Sequence, residues 1–466
     1  MSSCTGSRRP SIYLYPENVG IPPFRLVDDA RMSFLHARVK QSGHLTTDGN
    51  CADFFLLHNY AGRQSSADVV QLLSRVAMEF PFWNQTSSAG AVRHFFLSPC
   101  DHGPGDCMFD RNYEKPPVDG VVPWRHIDPR SPQRRIGFFT LNGALGMHNH
   151  FLRGIDVRLP AYDTHQCGPY CGIPHLGDFR RQMPMAHAIL QRYSPWHTTL
   201  HASAANVSRG PTSVPPSAGA LKLPPSMQTR RKYRLFWAGR ATRHGARGDL
   251  FKHHSRRGDF LIHDTSGRYP VAVAASAASQ QGLRATDHDF MPRGMANSDF
   301  CLSPLGQSEG DSDRYLPALL YGCIPIFTSE EEALPFDELL QWRAFSLTLP
   351  RGARQVVALP KFLSEVSDRQ LWAMRRAMTH AWPRMLWSSV VQLVPGERER
   401  HGLKPEDEDT SYVGEPTHRD AFSALMAVLR LRMCISGKGG ALVGRGAVTC
   451  ASGRSRRPRS RHGSRP

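Results

Sequence analysis

Nothing in this sequence reaches the roughly 18 consecutive apolar residues that a membrane-spanning helix needs. Its opening, MSSCTGSRRPSIYLYPENVG, also lacks the apolar segment of a signal peptide. Acidic residues are missing from 435–466, where eight lysines and arginines account for eight of the net +18. That tail, ending SGRSRRPRSRHGSRP, reads as a solvated, disordered end. It lacks the interleaved aromatics on which bases stack, so no nucleic-acid partner is expected. Internal repeats are absent. So is the Cys-x2-Cys knuckle of a zinc finger: HQCGPYCGIPH (165–175) spaces Cys167 and Cys171 by three residues between two histidines. Zinc, a disulfide or plain loop cysteines are the alternatives there, and HNH at 148–150 reads as a loop. Ten cysteines in 466 residues leave the redox compartment open.

What is present describes a globular chain, 40% apolar and 21% charged, long enough for two or three domains. ADFFLLH (52–58), VRHFFLS (92–98) and RIGFFTL (135–141) predict buried strands. SSADVVQLLSRVAMEF, between the first two, has helical apolar spacing with Ser66 as N-cap. Strand, helix, strand at this spacing predicts a βαβ unit and a parallel sheet. The proline-rich segment 206–228 predicts a linker or long loop.

Strand signals restart at YRLFWAG (233–239). They continue through GDFLIHD (258–264), SDFCLSP (298–304), CIPIFTS (323–329) and AFSLTLP (344–350). SDRQLWAMRRAMTHAW (367–382) predicts a helix capped by Ser367, and DAFSALMAVLRLRM another near the end. The expected organisation is a disordered start (1–10), a first Rossmann-like domain (11–205) and the linker (206–228). A second Rossmann-like domain (229–395), a loop with a terminal helix (396–434) and the basic tail (435–466) follow. Ligands of such sheets bind outside the carboxyl ends of the strands.

The most informative block is 297–345. A strand runs into a loop of Gly, Ser and Asp, then a helix from Arg314 to Tyr321, a stop at Gly322 and a buried strand. Such a loop opening on a helix N-terminus suits a diphosphate, although plain α/β proteins contain similar turns.

The order SDFCLSPLG…DRYLPALLYGCIPIF…LPFDELLQWRAFSLTLP resembles the C-terminal signature of exostosin-like glycosyltransferases. Upstream, SIYLYP, HFFLSPCDHG, FLRGIDVRLPAY and YRLFWAGRATRHGARGDLF resemble further family segments, so the resemblance covers residues 11 to 385. It implies an α/β chain of GT-B fold, two Rossmann-like domains whose parallel sheets face a cleft. It also implies an inverting transferase moving a sugar from a nucleotide diphosphate sugar, a UDP-sugar in expectation, to a glycan or glycoprotein acceptor. No further cofactor and no metal are implied. Family members usually work in the Golgi behind an N-terminal membrane anchor, and this sequence shows no such anchor.

The site residues follow from that resemblance. Arg240, Arg243 and Arg247, after the strand ending at Gly239, would meet the diphosphate, with surface charge as the alternative for any single one. Arg314 matches the helix-leading arginine and is expected to bind donor; Ser303, Gly306 and Ser308 would form the phosphate loop. Asp101 or His102 would take the acceptor proton, unless Asp101 only caps its own turn. Pro317 stands where the family commonly has an acid that grips the ribose, so Asp311 or Asp313 is expected in that role. The competing expectation is a weak or inactive exostosin-like protein that binds carbohydrate.

Overall fold

The computed structural model describes residues 9–16, 35–36, 38–40, 42–60, 66–83, 92–98, 134–140, 151–160, 192–195, 229–287, 289–305, 314–330, 332–349, 355–385 and 421–436. Two parallel sheets organise them. The first contains β1 (Ile12–Leu14), β2 (Leu45–Thr46), β3 (Phe54–Tyr60), β4 (His94–Ser98), β5 (Ile136–Thr140) and β6 (Val157–Arg158). Their order is β2-β1-β3-β4-β5-β6, with every neighbouring pair parallel. Helix α1 (Ser66–Glu79) supplies the crossover from β3 to β4, as the apolar spacing predicts. It takes in Ser66, so the cap position falls on residue 65, outside the described residues.

Alternation along the strands divides the first sheet between two cores. Phe55, Leu57, Phe96 and Phe138 point to α1 and meet Val70, Leu73 and Val76. Phe54, Leu56, Phe95, Leu97 and Phe139 join a larger core that continues into the second half. The face toward α1 also buries His94, which stacks on Phe55 at 4.6 Å and shares a 2.8 Å hydrogen bond with the Tyr15 hydroxyl. Burial pushes its pKa down to about 3, so His94 is neutral at pH 7.

The second half begins with β7 (Tyr233–Gly239), α2 (Ala246–His254), β8 (Phe260–Asp264), α3 (Val273–Gln280), α4 (Phe290–Ala296) and β9 (Ser298–Ser303). Then come α5 (Tyr315–Leu320), β10 (Ile324–Phe327), β11 (Leu347–Thr348), α6 (Leu359–Ser364) and α7 (Asp368–Ala381). The sheet runs β8-β7-β9-β10-β11, again parallel throughout. Strands buried on both faces explain the nearly continuous apolar runs. Ser367 caps α7 in a reciprocal capping box with Gln370, as its sequence predicts. The fold is α/β of the GT-B class, with two Rossmann-like sheets.

Helix α8 (Ala421–Ser436) stitches the halves together. Phe422 lies 5.9 Å from the His44 ring, and the Arg38 guanidinium sits 4.9 Å above it. One turn from the helix end, Arg432 donates to the Ile155 and Asp156 carbonyls at 2.7 Å beside β6. The same guanidinium pairs with Glu338 in the second half. The linker 206–228 and the tail 437–466 lie outside the described residues.

Candidate functional site

In the second sheet the order β8-β7-β9 reverses direction at β7. Crossovers leave opposite faces there and open a crevice at the carboxyl ends of β7 and β9, where open α/β sheets bind ligands. β7 ends at Gly239 and β9 at Ser303. Arg314 reaches this corner from the start of α5. A Cβ on Gly239 would overlap the Arg314 Nη2 atom and come within 3.0 Å of its Cζ, so the missing side chain is the space the guanidinium uses. The same guanidinium lies 5.6 Å over the Trp237 ring, a cation–π contact. Gly239→Ala is expected to push it off that ring and to cost about 1–3 kcal/mol through overpacking. Chemical denaturation midpoints check the loss.

Helix α5 is only six residues long, and all of them are buried. Pro317 is its third residue, among the first amides that have no intrahelical partner, so the ring displaces no hydrogen bond. Gly322 stops the helix at φ 68°. Its N–H donates to the Leu319 carbonyl at 3.1 Å and the Cys323 N–H to Ala318 at 2.8 Å, a Schellman closure. So short a helix has a weak dipole, and positive charge at this corner comes mainly from guanidinium groups.

Those groups stand apart from the other arginines of the fold. Arg134, Arg158, Arg234, Arg375 and Arg432 each pair with a carboxylate. Arg240, Arg243 and Arg247 have no carboxylate partner among the described residues. Arg240 and Arg243 are exposed. Arg247 is half-buried in the first turn of α2, with its Nε enclosed and no acceptor against it. Burial pushes its pKa down. A cation in the first turn also opposes the helix dipole. The three guanidiniums thus follow one strand end, two of them solvated and Arg247 partly shielded.

Asp264, at the end of β8, holds the arginine loop in place. Its Oδ1 accepts from the Ala241 N–H at 2.9 Å, the Ser266 N–H at 2.9 Å and the Ser266 hydroxyl at 2.6 Å, while Oδ2 accepts from the Tyr269 N–H at 3.0 Å. Burial alone would raise its pKa, but these bonds outweigh it and hold the carboxyl at about 2. The Tyr269 hydroxyl adds a 3.1 Å bond to the Thr242 carbonyl, and Lys252 a 2.8 Å bond to that of Arg243. The loop is therefore laced at three successive residues before the helix begins.

The structure thus brings Arg240, Arg243, Arg247, Arg314 and the buried Ser303 to one edge of the second sheet. Gly306, Ser308, Asp311 and Asp313 lie outside the described residues, as do Asp101, His102, Cys167 and Cys171. Asp264 was missed in the sequence. Its signal was an Asp followed by Thr-Ser-Gly at a strand end, an Asx-turn pattern.

Residues 176–364 match the exostosin GT47 domain. The chain is 26% identical over 169 residues to an exostosin-1 homolog of Caenorhabditis elegans, covering 35% of this chain and 44% of that one. It is 27% identical over 172 residues to exostosin-1 of Drosophila melanogaster, covering 35% and 22%. A probable glycosyltransferase of Arabidopsis thaliana is 35% identical over 95 residues, 19% of this chain and 18% of that one. The matched stretches span less than half of each relative's length. Among solved structures, WaaG, a glycosyltransferase involved in lipopolysaccharide biosynthesis, is 11% identical with a TM-score of 0.29, covering 80% of this chain and 95% of that one. That superposition is too poor to place any residue, and the fold rests on the two sheets themselves. The match leaves the upstream segments SIYLYP, HFFLSPCDHG and FLRGIDVRLPAY outside it. Through residues 176–364, which carry the arginine corner, the chain is exostosin-like.

Proposed function

We propose that this chain is an inverting glycosyltransferase that moves a sugar from a UDP-sugar to a glycan or glycoprotein acceptor. The observation that carries the reading is that Arg240, Arg243 and Arg247, which have no carboxylate partner among the described residues, sit on a loop whose backbone is laced down at the strand-order switch of the second sheet. Departure of a nucleoside diphosphate builds negative charge, and preorganised guanidiniums stabilise it without reorganising. Arg240, Arg243, Arg247 and Arg314 fill that role, so the proposal needs no metal. Ser303, Gly306 and Ser308 form the phosphate loop, Asp311 or Asp313 contacts the ribose, and Asp101 or His102 accepts the acceptor proton. Work in the Golgi lumen, with membrane association, belongs to the same reading. The buried Cys301–Cys323 disulfide supports an oxidising compartment. Among the described residues no helix is long and apolar enough to cross a membrane.

Calorimetric titration with UDP tests the site. Arg247→Gln is expected to weaken UDP binding roughly tenfold or more, the worth of one charge-assisted hydrogen bond. Failure of every nucleoside diphosphate to bind folded protein would overturn the transferase reading. Pro317 favours a second one, an inactive protein that binds carbohydrate, because a buried proline offers the ribose no acceptor. UDP binding without transfer or donor hydrolysis is its signature.

A further inference from the structure

The helix that follows Arg314 is gripped at both ends by chain from outside the second sheet. At its first residue, the Arg158 guanidinium, arriving from β6 of the first sheet, lies 5.3 Å over the Tyr315 ring. Arg158 Nη1 donates to Glu332 Oε1 at 2.8 Å and to the Ala333 carbonyl, and the Arg158 carbonyl accepts from the Phe336 N–H at 3.1 Å. At the last residue of α5, the Ser194 hydroxyl donates to the Leu320 carbonyl at 2.7 Å, one of the acceptors a helix end leaves over. Ser194 is itself anchored through its neighbour Tyr193, whose hydroxyl donates to Asp289.

Helix α5 cannot fix its own position. Six residues are too few for an independently stable helix, and among the described residues no side chain caps its start. Where Arg314 points is therefore decided by what α5 packs against. The Arg158–Glu332 pair has side-chain exposures of 0% and 4%. Buried pairs of this kind add little net stability over an apolar pair, but they tolerate only one geometry. We propose that Arg158 and Ser194 are positioning residues for Arg314, so that contact between the halves sets the affinity of the nucleotide corner. The proposal rests on Arg314 binding the donor diphosphate.

The experiment compares Arg158→Met/Glu332→Gln, Ser194→Ala and Arg314→Gln with the parent chain. The paired substitution removes both charges at once and leaves no uncompensated buried ion. Each variant is titrated with UDP by calorimetry, and its denaturation midpoint is recorded. The expected result is a loss of UDP affinity on the order of tenfold in the paired variant, and a smaller loss in Ser194→Ala, among molecules that remain folded. On an Arg314→Gln background both further losses should vanish, because the guanidinium they position is gone. A general packing defect would instead add to it, and additivity overturns the proposal. It also fails if Arg314→Gln weakens UDP while the other variants bind within twofold of the parent; the donor reading then stands. If Arg314→Gln itself binds UDP normally, the donor role of Arg314 fails, and the proposal with it. Should the paired variant not fold, Ser194→Ala decides alone by the same criteria.

Discussion

Asp299→Ala is expected to cost about 3–5 kcal/mol, a large fraction of the stability of an ordinary domain. Asp299 is the second residue of β9, at the strand end opposite the arginine corner. Its Oδ1 accepts from Arg375 Nη2 at 2.7 Å and the Arg231 N–H at 3.0 Å, while Oδ2 accepts from Arg234 Nη1 at 2.9 Å. The Arg375 side chain is 0% exposed and that of Asp299 1%. Burial, with Arg375 as a like charge nearby, already pushes the Arg231 pKa down to about 9, a group still protonated at pH 7. Removing the carboxylate leaves the guanidiniums of Arg231, Arg234 and Arg375 clustered without their shared counter-charge, and solvent cannot reach Arg375 to compensate. Asp299→Asn keeps one acceptor and should cost less. Urea denaturation of both variants tests this, and a loss below about 1 kcal/mol for the alanine variant would show that the cluster relaxes.

These two ends of one sheet were not equally legible in the sequence. YRLFWAG predicted β7 to the residue, because a both-faces-buried strand is an unbroken apolar run between polar punctuation. Glycine and proline punctuation placed α5 and its stop correctly as well. The strands of two residues, β2, β6 and β11, are too short to carry a period, and AFSLTLP predicted more strand than forms. Strand order could not be read either, since it depends on which face each crossover packs against.

Charge was the least legible feature. Arg375 looks like half of an exposed Arg-Arg pair, yet it falls four residues after Leu371 and three before Met378, on the buried face of α7. Nothing local distinguishes it from Arg247, which has no carboxylate partner among the described residues. Sequence supplies the guanidinium, but only the fold shows whether a carboxylate has been brought to it. In the corner itself, the resemblance singled out Arg314, whereas Trp237 beneath it looked like one more core aromatic. Asp264 hid for the opposite reason: its four bonds are to nearby backbone and to one serine, and only the fold shows that they join two loops.

The cysteine pairing was equally hidden, because a separation of 22 residues picks no partner among ten cysteines. Replacing both Cys301 and Cys323 with alanine is expected to destabilise the chain by about 3 kcal/mol, the loop-closure entropy of such a crosslink. Cys301 lies in β9, and Cys323 closes the Schellman turn of α5, so the bridge spans the loop that ends in Arg314 and α5. Its effect should therefore reach the arginine corner. Without the crosslink, the end of α5 still meets β9 through the β9–β10 pairing and through Arg231, which donates to the Ser298 and Tyr321 carbonyls at 3.1 Å, but the covalent tie beside the turn is lost, and UDP affinity should fall alongside stability. Both cysteines are at most 2% exposed, so a mild thiol reductant should leave the folded protein unchanged and lower the denaturation midpoint only after unfolding exposes the bridge. A double variant as stable as the parent would mean that the bridge adds nothing beyond the packing around it. Equal UDP affinity at reduced stability would confine its role to the fold and separate it from the corner that Arg158 and Ser194 hold.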